Sequence, residues 1–373
     1  GNFKQNYYLY RDLNHRWVPT IWDLNMSFGG FPGNNLSVSG MQNLTPLFSL
    51  DAQHPLIQKL LNNPVYQRMY IAHMRTILQE NFSNGEYITR ANELMAIINS
   101  AVQSDPYPFY TYTQFQNSLT TNTTGGGGGP GGGTSIPGIQ VLMDARSTYL
   151  ESNTLFTAVA PSITQVQPNN GTPIVGSLIY ITAQISNATA IEIGYRFDHT
   201  RRFFRFPMFD DGQHQDGSAG DGLYGAAISM NDAQLEYYIF AENASAAAFS
   251  PERAEHEFYH LVASANQPSV GDVVINEVLA SNSVQEDEYG QSDDWVELYN
   301  NSSNTIDLSN CFLSDSTGYL EKWQFPAGTL MAPHSYLIVW TDDDEEQVFH
   351  HSNFNLSTIG EPLYLSVSGQ VLD

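Results

Sequence analysis

Two oxygen-bearing side chains, Asn6 and Asp23, bracket the stretch from Tyr7 to Trp22 in a way that could bring them to one cation. An antiparallel hairpin returns its own ends to each other. With Tyr7 to Tyr10 and Trp17 to Trp22 as the strands and Asp12 to His15 as the turn, Asn6 and Asp23 emerge side by side at the open end. One neutral amide oxygen beside one carboxylate suits Mg²⁺, a hard cation that takes few ligands from protein. Asn and Asp are also ordinary residues at strand ends, because both tolerate turn conformations. Spacing alone leaves the two readings open.

Further along, Asp210, Asp211, Asp216 and Asp221 alternate with glycines in one short stretch, a set of hard donors able to wrap Ca²⁺. Asp-Gly pairs are equally the residues of tight turns, and the spacing is not that of an EF-hand. His256-Glu257-Phe258-Tyr259-His260 fits His-Glu-x-x-His, which serves a zinc protease only on a helix. Gln234 to Ala241 reads as a strand and Glu255 to Val262 as its return partner, where residues four apart stand roughly 13 Å apart, too far for one zinc. The run Thr200 to Phe206 mixes arginines with aromatics, and alternation on a strand with the arginines outward explains it without nucleic acid. Gly125 to Gly133 lacks the Gly-Lys-Ser/Thr ending of a phosphate loop and reads as a flexible surface loop.

The elements that must position these groups divide the chain by period. From about 51 to 119 apolar residues recur at helical spacing (Leu56, Leu60, Ile71, Met74, Ile77, Leu78), with a second helix over 86–103, and the period resumes from Ile139 to Tyr149. From about 157 strand patterns take over, near 176–186, 189–196, 202–208, 224–230, 234–242 and 255–262, and look like an immunoglobulin-like sandwich. The 373 residues allow two or three domains. Asp and Glu number 39 against 14 Lys and Arg, a net charge of -25 that repels nucleic acid and anionic lipid. A single Cys, Cys311, forbids an internal disulfide and sits in an apolar run that predicts burial. No apolar run approaches a membrane span. Asn187, Asn243 and Asn301 head Asn-x-Ser/Thr sequons, which an Asn-rich chain also produces by chance.

Protein kinases place two short strands between the catalytic-loop Asn and the Asp of Asp-Phe-Gly, both of which bind Mg²⁺. The runs Asn6 to Asp12, Trp17-Val18-Pro19, Trp22-Asp23-Leu24-Asn25 and Phe28-Gly29 resemble the end of the catalytic core of the CotH spore-coat kinases, an atypical kinase-like family also common in secreted bacterial proteins. His54-Pro55-Leu56, Leu60-Leu61, Tyr66 to Tyr70 and the segment 71–80 are similar to that family's helical region, and Ile136-Pro137-Gly138 to Leu150 to its closing helix. The resemblance covers about residues 1–155 and implies that Asn6 and Asp23 hold the Mg²⁺ that positions ATP phosphates. Asn25 departs from the family's commoner second Asp, which leaves that position without an implied role. A second resemblance spans about 271–373. Val274 to Val278, Asp294 to Asn300, Asp307-Leu308-Ser309, Leu313-Ser314-Asp315, Trp323 to Pro326 and Tyr336 to Trp340 are similar to the lamin-tail domain, a compact immunoglobulin-like sandwich. There Trp295, Val296, Leu298 and Leu337 to Trp340 would supply the core, Asn276 and Glu277 would fix a loop through backbone hydrogen bonds, and Glu277 and Glu297 read as structural acceptors at strand ends.

The resulting expectation is a multidomain chain: an α+β, mostly helical kinase-like C-lobe fragment over 1–156 with a glycine-rich loop at 125–133, then two all-β immunoglobulin-like sandwiches over 157–264 and 265–373, the last cut at its C-terminus. It implies a secreted or surface protein kinase that transfers ATP phosphate to protein hydroxyls with Mg²⁺, its sandwiches targeting it to a protein substrate or cell-surface component. The alternative is a non-catalytic surface scaffold or adhesion protein that binds protein or polysaccharide. A kinase places its catalytic-base Asp about five residues before the metal-binding Asn, which falls at or before Gly1, and neither a nucleotide-anchoring Lys nor a glycine-rich nucleotide loop precedes the hairpin. The 373 residues alone are therefore expected to transfer no phosphate from ATP to a Ser-containing protein, and a phosphorylation assay that detects transfer would overturn this.

Overall fold

The computed structural model describes residues 8–12, 17–21, 24, 27–30, 36–124, 135–168, 173–264, 266–344, 346–347 and 350–373. Asn6, Asp23 and the glycine-rich loop 125–133 lie outside the described residues. The chain divides into two compact units, Gly1–Gln167 with Thr182–Ala226 and Glu236–Tyr259, and Pro168–Ile181 with Ala227–Leu235 and His260–Asp373.

The first unit opens on the expected hairpin, β1 (Tyr8–Arg11) and β2 (Trp17–Thr20), antiparallel with Tyr8 opposite Thr20 and Arg11 opposite Trp17. Helices follow: α1 (Val38–Gln42), α2 (Pro55–Leu61), α3 (Pro64–Ile77), α4 (Glu86–Ser104), α5 (Tyr112–Asn117), α6 (Ile139–Ser152) and α7 (Thr154–Thr157). Their starts are written in the local chemistry. Asn63 Oδ1 accepts from the amides of Val65 and Tyr66 at the head of α3, where Pro64 has no N–H to lose. Thr111 and Gln114 close a reciprocal capping box on α5. One π-helical turn, Leu78–Ser83, separates α3 from α4. Arg146 of α6 donates to the Leu44 carbonyl at 2.7 Å, and Gln42 at the end of α1 donates to the Val141 carbonyl at 2.8 Å, so α6 is tied to α1.

Beyond α7 the chain turns to strands: β3 (Ser162–Pro168), β4 (Leu178–Ser186), β5 (Ala190–Arg196), β6 (Phe204–Pro207), β7 (Leu223–Ser229), β8 (Gln234–Glu242), β9 (Ala247–Ser250) and β10 (Tyr259–Val262). One sheet has the order β10-β8-β5-β6 with β9 also on β8, and another has β3-β4-β7. Two expectations need correcting. The immediate return partner of β8 is β9, with Glu242 opposite Ala247 and Ile239 opposite Ser250. The strand expected over 255–262 starts only at Tyr259, because Pro251 has no N–H to continue a ladder and the residues after it form turns. Arg205 does not point outward either. Its guanidinium pairs with Glu192 at 2.5 Å and lies 4.4 Å from the centroid of the Phe240 ring, so the cation is held over the sheet.

Helix α3 is part of this core. Ala72 shares one apolar cluster with Phe203, Tyr238, Phe240, Ala247 and Phe249, and Val65 and Met69 pack against it. His73 stacks on Phe249 with ring centroids 4.5 Å apart, and Arg68 bonds Glu242 at 2.9 Å with both side chains mostly buried.

The second unit carries β11 (Val273–Leu279), β12 (Trp295–Asn300), β13 (Ile306–Asp307), β14 (Cys311–Ser314), β15 (Trp323–Gln324), β16 (Leu330–Met331), β17 (Tyr336–Trp340), β18 (Tyr364–Val367) and β19 (Gln370–Val371). They form sheets in the orders β11-β12-β17, β15-β14-β18-β19 and β13-β16. Val296, Leu298 and Val339 of the first and Cys311, Leu313 and Leu365 of the second belong to one buried cluster, which is the logic of a sandwich. The ladder of β11 shifts register between Ile275 and Glu277, and Asn276 sits at that irregularity. Its amide donates to Glu297 Oε1 at 2.7 Å, a side-chain partner where a backbone one was expected.

Gly194 on β5 gives a direct test of this packing. A Cβ there would lie 2.3 Å from Cε1 of Tyr238, a ring with no exposed surface. Gly194→Ala should destabilise the first unit by about 1–3 kcal/mol, read as a lowered thermal midpoint, whereas Gly318→Ala, where the nearest atom to a Cβ is Ser316 Oγ at 4.0 Å, should leave stability nearly unchanged.

Candidate functional site

The register of β1 against β2 runs outward from Arg11 opposite Trp17 to Tyr8 opposite Thr20. This is the antiparallel geometry from which Asn6 and Asp23 were inferred to converge. The segment after the hairpin is pinned to the helices. Gly29 has φ of +78°, and a Cβ on it would stand 2.9 Å from Cγ of Pro137 and 3.0 Å from Sδ of Met41. A side chain fits neither that backbone nor that space. Phe28 places its ring 6.5 Å from that of Phe82. Thr123 and Ile136 exchange both backbone hydrogen bonds, at 2.8 and 2.9 Å, so the flanks of the glycine-rich loop meet and the chain re-enters the same helical group.

In the 210–222 loop all four aspartates are acceptors for the loop's own amides. Asp216, with no exposed surface, takes the amides of Asp211 (2.6 Å) and Gly212 (2.9 Å) on Oδ2 and that of His214 (2.8 Å) on Oδ1. Asp210 takes Gly220 and Gly222, Asp221 takes Ser218 and Leu223, and Asp211 takes Gln213 and the ring nitrogen of His214. Burial raises the Asp216 carboxyl, but the amides of Gly212, His214 and Asp211 outweigh it and hold the group below its ordinary value. Asp211, His214 and Asp216 do bring one ligand atom each within 4.8 Å of one another. Any cation there would share oxygens already engaged by amides.

His256 lies in the turn after β9 and His260 on β10, so His-Glu-x-x-His is not helical and forms none of the metal-competent groups found among the described residues. His256 instead lines a cleft of about 890 Å³ with Met69, His73, Thr76, Phe249 and Arg253. The cleft's charges are mutually engaged, Arg253 bonding Glu80 at 2.7 Å and Glu257 at 3.0 Å. Burial, then the neighbouring His256, pushes the His73 ring below its ordinary value. His73 carried no motif in the sequence, and only its place on the packed face of α3 marks it. Glu277 and Glu297 stand opposite each other in the β11–β12 ladder, where Glu297 Oε1 accepts from the Asn276 amide and Glu277 is exposed. Cys311 has no exposed surface, and burial pushes its thiol up to about 12. The amides of Asn187 and Asn243 both donate to the Val159 carbonyl, so these sequon side chains are already used in the fold. A second metal-competent group, Asp287, Asp342 and His351, was missed entirely because its members are far apart in sequence.

The family model for CotH kinase protein matches residues 2–123, that for the lamin tail domain matches 266–373, and that for the second Ig-like domain of conditioned medium factor matches 200–238. The chain thus carries a CotH-like region, an Ig-like region and a lamin tail domain. No curated protein matches. Among solved structures, an alpha-2-macroglobulin mutant from Salmonella is 9% identical with a TM-score of 0.20, the match covering 56% of this chain and 15% of that one. The N-terminal Ig1-2 module of the Drosophila receptor protein tyrosine phosphatase DLAR is 13% identical with a TM-score of 0.18, covering 49% of this chain and 92% of that one. No helix among the described residues is long and apolar enough to cross a membrane.

The amide cradle around Asp216 predicts an acid limb. Its folded carboxyl titrates below the ordinary value of 3.8, so its contribution is complete above that value and is lost as pH falls through the lower, folded value. Asp216→Asn should cost about 1–3 kcal/mol near neutral pH and should flatten the fall in thermal midpoint measured between neutral pH and strong acid.

Proposed function

We propose that this chain serves in a CotH-like protein kinase outside the cell or at its surface, where Asn6 and Asp23 hold Mg²⁺ on the phosphates of ATP and protein hydroxyls accept the phosphate. The observation that carries the reading is the antiparallel hairpin, with Tyr8 opposite Thr20, inside the region that matches CotH kinase protein. Its donor set, one amide oxygen and one carboxylate, fits a hard cation that keeps several waters. Held by Asn6 and Asp23, Mg²⁺ would supply positive charge against the negative charge that spreads over the transferred group. The chain's own residues supply the placement. On this reading the hairpin would return the two donors to each other, and Gly29 seats the following segment against Met41 and Pro137. The Ig-like and lamin tail regions then serve as targeting modules toward a protein substrate or cell-surface component. A calcium ion in the 210–222 loop is a further part of this reading, through oxygens of Asp210, Asp211, Asp216 and Asp221.

The test is titration of ATP with Mg²⁺ or Mn²⁺ into the protein, extended upstream as far as its reading frame runs, beside Asp23→Ala. Loss of one of two protein ligands should weaken nucleotide binding about tenfold or more. Equal binding by both proteins would remove Asp23 from the site, and no binding by either would leave the surface-scaffold reading.

A further inference from the structure

The β11–β12 loop and the segment after β17 gather acidic groups that no motif marks. A carboxylate oxygen of Asp287, one of Asp342 and a ring nitrogen of His351 lie within 4.8 Å of one another. The side chains of His351 and Asp342 are 0% and 4% exposed. Acidic groups on a chain of net charge -25 are common, so the cluster alone means little. The decisive observation is at one of its members. Oδ2 of Asp287 is sealed from solvent and has no hydrogen-bond partner. A carboxylate oxygen with neither water nor a donor is among the most costly groups a fold can hold, and it calls for a positive charge.

Among the described residues no positive charge reaches this atom. His351 Nδ1 meets Asp342 Oδ2 at 2.5 Å and Nε2 meets Glu288 Oε1 at 3.1 Å, so an imidazolium there is used up by two other carboxylates. Three acidic groups, Asp287, Asp342 and Glu288, then face one cation. The loop is nonetheless built to hold its carboxylates in place. Asp287 Oδ1 takes the amides of Tyr289 (2.9 Å) and Gln291 (2.7 Å), which leaves Oδ2 as the spare donor. Asn282 donates to the carbonyls of Gln285 and Asp293, and Asp294 takes the Ser281 amide. Rings of Tyr289 and Trp340 stand 5.8 and 6.5 Å from that of His351 and bound it.

We propose that Asp287, Asp342 and His351 form a binding site for a divalent transition-metal cation of the Mn²⁺ or Zn²⁺ class within the lamin tail domain. Two carboxylates with one imidazole suit these ions better than Ca²⁺ or Mg²⁺, whose sites are built from oxygen alone. The metal takes Nδ1 of His351 in place of its contact with Asp342, and Nε2–H keeps donating to Glu288, the outer partner that fixes a ligating imidazole. The site is independent of the assignment of Asn6 and Asp23.

The experiment uses the 373-residue chain stripped with a chelator and reads its thermal midpoint with Mn²⁺, Zn²⁺, Mg²⁺ or Ca²⁺ added singly, with metal content per chain measured after gel filtration. Mn²⁺ or Zn²⁺ should raise the midpoint by several degrees at one ion per chain. Asp287→Asn should abolish that rise while matching or exceeding the stripped parent in stability, since it removes a repelling charge. Asp216→Asn should keep the rise, which separates this site from the 210–222 loop. If Asp287→Asn does not fold, Asp342→Asn with Mn²⁺-induced broadening of the His351 ring resonances gives the same reading. No rise with any cation, a rise with Ca²⁺ or Mg²⁺ alone, or a rise that survives in both asparagine variants would overturn the proposal.

Discussion

Helix α3 lays Val65, Met69 and Ala72 against Phe240, Ala247 and Phe249, and the first compact unit depends on that contact. Without it the helix would show an apolar stripe to water and the sheet an uncovered aromatic face, each costing on the order of 25 cal/mol for every Å² exposed. Polar groups fix what burial alone leaves free. Arg68 with Glu242 sets where the helix crosses β8, and His73 on Phe249 sets its rotation. Only then do the other helices have a frame. Arg146 reaches back to Leu44, and Gly29 closes against Pro137 and Met41, which places the hairpin's follow-on segment among α1 and α6. The geometry proposed for nucleotide binding therefore rests on a core whose far wall is an Ig-like sheet.

Acidity is handled in two ways in this molecule. In the 210–222 loop carboxylates face backbone amides, so each negative charge replaces the hydrogen bonds that an irregular segment would otherwise lack. Around His351 the donors run out before the acceptors do, and a sealed oxygen is left over. The same residue type is thus a structural staple in one place and a latent ligand in another, and the number of N–H groups within reach separates the two.

Local chemistry was legible in the linear chain where it acts over a few residues. The hairpin and the helical stretch announce themselves through period and spacing, and the lamin tail domain through its runs of resemblance. What escaped reading depends on partners distant in sequence. Arg205 looked solvent-facing because nothing in its neighbours reveals that Glu192 and the Phe240 ring lie across two strands. The segment after Pro251 looked like continued strand because alternation persists in the letters although the ladder cannot. His351 meets Asp342 nine residues away and Glu288 sixty-three residues away, and no spacing rule joins such a trio. The Asn6 and Asp23 pair came from hairpin geometry and family resemblance together, and β1 with β2 supplies the first of these.

Cys311 opens β14 with its side chain wholly enclosed, and it is the chain's one thiol. Burial pushes that thiol up to about 12, so it stays protonated and out of reach of disulfide exchange. The consequence is an indifference to redox surroundings. Cohesion here comes from packing and hydrogen bonds, with no cross-link to form before the fold is stable or to lose afterwards. The lamin tail sandwich can move between reducing and oxidising compartments without a change in its covalent structure.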